Sequence, residues 1–282
     1  MWCAFPSDDG WAERRMPRAI TAFSNPLVKR VRNLRDKRHR KAEGLFLAEG
    51  LRILAEAEEV GELPLWLFFA ADSAAHPIVR RLATAVEAGG GEAIETSRDI
   101  LHKLSGKDNP QTVLGVYRQR DTSLAAIDRA AADIWLVAQS LRDPGNLGTM
   151  LRTGDAVGAG GLILIDDCVD PFSVEAVRAS MGALFTQKIA QARWEEFLPW
   201  LRTGPGQLVG TSLETAEDFR APAYRAPVFL LVGNEAQGLP PAYAAACDVR
   251  VKIPMRGKAD SLNAAVACAV AAYEVRGQLD RA

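Results

Sequence analysis

A series of short apolar runs, separated by stretches with helical spacing, limits this chain's fold more than any other feature. In the second half strand-like segments cover residues 134–138, 162–165, 186–190, 208–210, 228–232 and 249–253, of which 134–138, 162–165, 208–210 and 228–232 are unbroken apolar runs, with helical patterns at 146–157, 173–180, 194–201 and 261–277 between or after them. The first half repeats the rhythm. Strand-like segments at 45–48, 65–70, 93–95 and 113–117 alternate with helical ones at 51–60 and 78–86, and a glycine triplet at 89–91 marks a turn. Runs this short and apolar, without polar alternation, are strands buried on both faces, and alternation with helices indicates an α/β fold with a mostly parallel sheet. At 282 residues the chain has room for two such units. The polar, alanine-rich segment 118–132 suits a linker helix, with the boundary near residue 121.

Charge divides the chain further. Net charge is −1, yet between Arg14 and Lys41 eleven basic residues face one acid, Asp36, so this block carries +10 and the remainder −11. A basic block on an acidic protein is the footprint of a polyanion binder, since each neutralised phosphate releases counterions. A solvated helix face is the plain alternative. A helix from about 26 to 40, opened by Ser24, Asn25 and Pro26, would bury Leu27, Val31 and Leu34 and keep Lys29, Arg30, Arg32 and Lys37 outside.

The first 17 residues, with Asp8 and Asp9 where a signal peptide needs an apolar core, read as a disordered leader, and translation could start at Met16. No apolar stretch approaches the roughly 18 residues of a membrane span. The four cysteines form no CxxC pair and lie far from the three histidines, so no metal site is expected, and reduced thiols suggest a cytoplasmic protein. No glycine-rich dinucleotide fingerprint or phosphate loop follows a first strand, and no histidine lies in the second half to serve a Ser-His-Asp hydrolase.

Three loops remain, each after an expected strand, where open α/β sheets gather their ligands. They run over 139–148, 231–239 and 253–263. Gly233 and Gly238 allow close backbone approach to a ligand, Ile253 and Leu262 suit an adenine sandwich, and Ser261 is a natural N-cap for the last helix. Taken singly, each loop is more often plain turn chemistry than a site; three together shift the balance.

The strings DPGNLGTMLRTGDAVG, LLVGNEAQGLP and IPMRGKADSLNAAVA resemble, in order and spacing, the three motifs of the SpoU, or TrmH-like, branch of the SPOUT RNA methyltransferases, over about residues 134–277. The segment ITAFSNPLVKRVRNLRDKRHRKAEGLFLAEG is similar to the ribosomal-protein-like substrate-binding domain that precedes the catalytic domain in many ribosomal RNA members. The resemblance implies an RNA substrate-binding domain over 18–120 and a methyltransferase domain over 121–282 with a trefoil knot. It further implies S-adenosylmethionine as cofactor, a homodimer with the active site near the subunit interface, and methylation of a ribose 2′-hydroxyl. Ribosomal RNA is the expected target. A transfer RNA enzyme, a base-methylating enzyme and a non-catalytic RNA-binding protein are the alternatives.

By motif position, Asn146, Arg152, Glu235, Ser261 and Asn263 are the catalytic candidates, with Arg152 clamping RNA and stabilising the alkoxide. Gly233, Ile253 and Leu262, with backbone near Thr211, Leu231 and Met255, are the cofactor candidates. Lys29, Arg30, Arg32, Arg35 and Lys37 are the RNA-binding candidates.

Overall fold

The computed structural model describes residues 18–106, 111–212, 217–234 and 237–281. It contains two sheets. The first has five strands in the order β1-β4-β3-β5-β2, from β1 (Arg18–Ile20), β2 (Leu45–Glu49), β3 (Trp66–Ala70), β4 (Glu92–Thr96) and β5 (Val113–Arg118). Neighbours β1, β4 and β3 pair parallel, and β5 runs antiparallel to both β3 and β2. The second sheet has seven strands in the order β10-β12-β9-β11-β6-β7-β8, and every pairing is parallel. Its strands are β6 (Ile134–Gln139), β7 (Gly161–Ile165), β8 (Lys188–Ala192), β9 (Gln207–Thr211), β10 (Glu217–Asp218), β11 (Val228–Val232) and β12 (Val249–Lys252). Strands β6, β7 and β11 are buried along their whole length, the condition that the unbroken apolar runs anticipated.

The expected helix over 26–40 is two. Helix α1 (Pro26–Asn33) begins at Asn25, whose side chain accepts from the Leu27 amide, and ends at Leu34; α2 (Lys37–Glu43) begins at Asp36. The acid that interrupts the basic block is therefore an N-cap, its Oδ1 taking the Arg38 amide at 2.8 Å. The hydrogen bonds from the Arg38 and His39 backbone amides hold its carboxyl below the ordinary carboxylate range. The buried stripe of α1 is Val28, Val31 and Leu34, with Leu27 only packed against its edge.

The expected linker helix over 118–132 is absent from the structure. Two single 3-10 turns, Leu124–Ala126 and Arg129–Ala131, occupy this stretch, because Asp121 and Asp128 accept the amides two residues on and compete with helical bonding. The described residues also include α5 (Arg98–Ser105), capped by Ser97 and closed by Gly106 in the left-handed region, which the sequence analysis did not anticipate. The same holds for β1, β10, the short α8 (Ala183–Thr186) and α10 (Pro241–Ala246).

The two sheets share one apolar cluster. Phe46 of β2 and Tyr117 of β5 pack on Phe172 and Phe185 from the second half, with ring centroids 4.8–6.0 Å apart. Beside them Arg40, counted above with the basic block, is buried: its guanidinium donates to Asp170 at 2.6 and 3.1 Å and to the carbonyls of Leu34 and Arg35. Arg120 donates to the carbonyls of Leu184, Phe185 and Gln187 at the end of α8. Helices α6 (Pro144–Ala156) and α7 (Val174–Ser180) cross at Gly148, where a Cβ would collide with Ala179 and the Ser180 amide.

Candidate active site at the carboxyl edge of the parallel sheet

Strands β9, β11 and β12 are neighbours, so the loops that leave their carboxyl ends converge. Between them lies a cleft of about 520 Å³, in the range typical of small-molecule sites. Thr211, Gly233, Ile253, Met255, Ser261 and Leu262 line it, as do Asn234, Leu239 and the small residues Ala244 and Ala245 of α10. Leu231 stands behind the wall, fully buried, with its carbonyl accepting from the Thr211 hydroxyl at 3.3 Å.

Gly233 has a reason to be glycine beyond flexibility. A Cβ there would run into the backbone of Gly238 and Leu239, so the loop folds back on itself with no room for a side chain. The turn is closed by the Gly238 amide donating to the Asn234 carbonyl at 2.9 Å, with Gly238 in the left-handed region. Asn234 also donates from Nδ2 to the Ser140 carbonyl at 2.8 Å, tying the second loop to the first. Ser140, at φ 48°, sits where non-glycine residues are uncommon. Asn234 is not among the candidates named from the sequence, where its place beside Gly233 is the available signal.

The far wall is held by a polar chain. Asp166, at φ 62°, accepts from the Trp194 amide at 3.0 Å, from the Tyr243 hydroxyl at 2.9 Å and from Gln139 Nε2 at 3.3 Å. Tyr243 lies flat on Trp194, 3.9 Å between centroids. Burial and the bond to Asp166 push its hydroxyl up to about 12, so it anchors α10 as a neutral donor. Cys247 and Cys268 are pushed up by burial to about 12 and Cys168 to about 11. No thiolate nucleophile is available at neutral pH from these three.

At the rim, α6 and α11 (Ala264–Leu279) meet through side chains. Asp143, not Asn146, caps α6, accepting the Asn146 amide at 2.7 Å. The Asn146 side chain is thereby spared for Asn263, which donates to its Oδ1 at 2.9 Å. Asn263, not Ser261, caps α11: its Oδ1 accepts the amides of Ala265 and Val266 at 3.0 and 3.3 Å. The helix starts three residues later than expected, because residues 253–263 form an irregular loop over the cleft that leaves Ser261 exposed on its lip.

Arg152 is exposed, makes no hydrogen bond or ion pair among the described residues, and is absent from the cleft lining. Six positions beyond Asn146, it lies about 9 Å along α6 and on another face. Glu235 lies outside the described residues. Lys29, Arg30, Arg32, Arg35 and Lys37 are all exposed. Arg30 is committed in part, 2.5 Å from Glu43 and stacked over Trp66. Among the described residues no group of acids, histidines and cysteines could hold a metal, and no helix is long and apolar enough to cross a membrane.

The profile described as the SpoU rRNA Methylase family matches residues 133–273, and that of the MRM3-like substrate binding domain matches residues 25–115. The AdoMet-bound crystal structure of an rRNA methyltransferase from Sinorhizobium meliloti superposes with a TM-score of 0.85 at 38% identity, covering 93% of this chain and 98% of that one. The 23S rRNA (uridine(2479)-2′-O)-methyltransferase of Streptomyces viridochromogenes is 32% identical over 85% of this chain and 84% of its own length. The 23S rRNA (guanosine(2553)-2′-O)-methyltransferase RlmP of Bacillus subtilis is 27% identical over 92% and 99% respectively.

Proposed function

The chain belongs to the SpoU rRNA methylase family, and on that premise we propose that it is an S-adenosylmethionine-dependent methyltransferase acting on a ribose 2′-hydroxyl of ribosomal RNA. The observation that carries the reading is the cleft itself. It is floored by a glycine loop that admits no side chain and rimmed by a hydrogen-bonded Asn146–Asn263 pair. Residues 18–120 serve as the RNA substrate-binding domain and 121–282 as the methyltransferase domain, with the knot formed by the segments carrying the second and third motifs. A cytoplasmic location follows from the substrate.

The cleft fits the cofactor. Gly233 brings backbone against a ligand, Ile253, Leu262 and Leu239 offer apolar walls for an adenine, and Thr211, Met255 and the Leu231 segment complete the cradle. When bound, S-adenosylmethionine supplies an electrophilic methyl group. The chain's own work is to bring the ribose oxygen in line with it and to stabilise the negative charge that grows on that oxygen. Arg152 meets the second need: a guanidinium keeps its proton, so it acts as a fixed cation on the phosphate and alkoxide and not as a base. Asn146, held by Asn263, orients the ribose, Ser261 holds an RNA oxygen on the lip, and Glu235 supplies the carboxylate that takes the proton.

One chain does not close this site, because Arg152 stands outside the cleft. Helix α11 presents Val266, Val270 and Tyr273 at 46, 36 and 57% exposure on one stripe, an apolar face that a two-fold partner would cover. The protein works as a homodimer, with Arg152 supplied by the partner subunit. The decisive test maps alkali-resistant phosphodiesters in 23S rRNA from cells with and without the gene, and restores the missing one in vitro with purified protein and labelled S-adenosylmethionine. Restoration of a single 2′-O-methyl is expected. Methyl transfer to a base, or none to ribosomal RNA, refutes the reading.

A further inference from the structure

We propose that the protein carries a separate subsite for one unpaired RNA nucleotide, in which a base stacks on Phe23 and the flanking phosphates lie against Arg32, Arg35 and Lys103. The proposal rests on the RNA-substrate reading above and names where and in what form that RNA is gripped. The site is a concavity of about 590 Å³ on the first sheet's side of the molecule, between the turn that precedes α1 and helix α5. It is separate from the cleft that holds the cofactor candidates, with which it shares no lining residue.

Phe23 is the observation that needs explaining. It sits in the turn closed by the Asn25 amide donating to the Ala22 carbonyl, and 45% of it is exposed. No packing role in either sheet accounts for a phenylalanine there. The Lys103 ammonium lies 4.8 Å from its ring centroid, an arrangement that keeps a cation beside the ring. Arg32 and Arg35 line the same hollow, and among the described residues neither of them nor Lys103 enters an ion pair. Arg35 is seated by a glycine: its guanidinium lies against Gly106, where a Cβ would collide with it, and Gly106 is in the left-handed region that closes α5.

An exposed aromatic ring with unneutralised cations around it is how proteins grip single-stranded nucleic acid, since every base has a face to stack and every nucleotide a phosphate to pair. A duplex cannot use the ring, because its bases are already stacked on each other. Asp99 is the one carboxylate in the hollow and distinguishes it from a simple phosphate trap. Lys29 and Lys37, by contrast, are exposed on helix faces outside this hollow, and suit backbone contacts of either form of RNA.

The test compares full-length protein and its variants on two fluorescein-labelled probes, a single-stranded oligoadenylate and a blunt RNA duplex. Phe23→Ala should weaken oligoadenylate binding about 5- to 150-fold, the range for loss of one base–aromatic stack, and leave duplex binding within about twofold. The slope of log affinity against log salt should not change, whereas Lys103→Ala should flatten it by about one phosphate contact. Phe23→Trp should restore binding. The melting temperature and S-adenosylmethionine affinity of each variant report folding. Unchanged oligoadenylate binding in Phe23→Ala, or equal loss on both probes, overturns the subsite while the methyltransferase reading stands. A wild-type protein that binds neither RNA nor S-adenosylmethionine overturns both.

Discussion

Replacing Asn263 separates its two jobs. Its Oδ1 caps α11 through two amides and its Nδ2 reaches Asn146. Asn263→Ala removes both, and the cap alone is worth about 1 kcal/mol, within a range of roughly 0.5–2. For a chain of this size that lowers the melting temperature by roughly 2–4 °C per kcal/mol. Asn263→Ser keeps the cap, because serine caps as well as asparagine, but is too short to reach Asn146. Its stability should match the native protein to within about 0.5 kcal/mol. Its single-turnover methyl transfer should slow about 2- to 10-fold, the kinetic equivalent of a hydrogen bond worth about 0.5–1.5 kcal/mol. Asn146→Ala should copy the kinetic loss without the thermal one, since Asp143 caps α6. The assays are thermal unfolding at fixed protein concentration and transfer of labelled methyl to 23S rRNA. Full turnover in Asn263→Ser, or an Asn146→Ala protein as thermolabile as Asn263→Ala, refutes the assignment of the pair to ribose positioning.

Arg152→Ala should abolish methyl transfer yet leave S-adenosylmethionine affinity, measured by calorimetry, within about twofold, because the side chain lies outside the cleft lining. Gly148→Ala, which by helix propensity should stabilise by up to about 1 kcal/mol, should instead destabilise by about 1–3 kcal/mol, since the new methyl meets Ala179 and the Ser180 backbone; chemical denaturation gives the sign. Arg40→Ala should cost about 3–5 kcal/mol in the same assay by leaving Asp170, at 14% side-chain exposure, without its partner. A loss below about 1 kcal/mol would mean that water reaches the pair and the junction is looser than described.

What could be read locally was read correctly where one periodicity dominated. The buried strands at 134–139, 161–165 and 228–232 lie where unbroken apolar runs place them, and Gly44 stops α2 where only a left-handed residue fits. Helix α5 was legible but passed over: Ser97 opens it, Gly106 closes it, and Ile100, Leu101 and Leu104 face the core. The break at residues 34–36 is harder to read, because Asp36 among eleven cations looks like a stray charge until its carboxylate is seen on two backbone amides.

The sequence by itself determined the layered α/β architecture and the order of the three motif loops, because strand burial, helix amphipathicity and turn chemistry act over a few residues. Only the tertiary structure decided which cations are free and which are buried. Arg40 and Arg32 belong to one basic run, yet Arg40 is buried against an acid 130 positions away while Arg32 stays exposed. It also decided that Asn263 both caps a helix and holds Asn146, and that Arg152 stays outside the cleft its motif helps to build. Those outcomes depend on strand order and on contacts between distant segments, and no local preference encodes them.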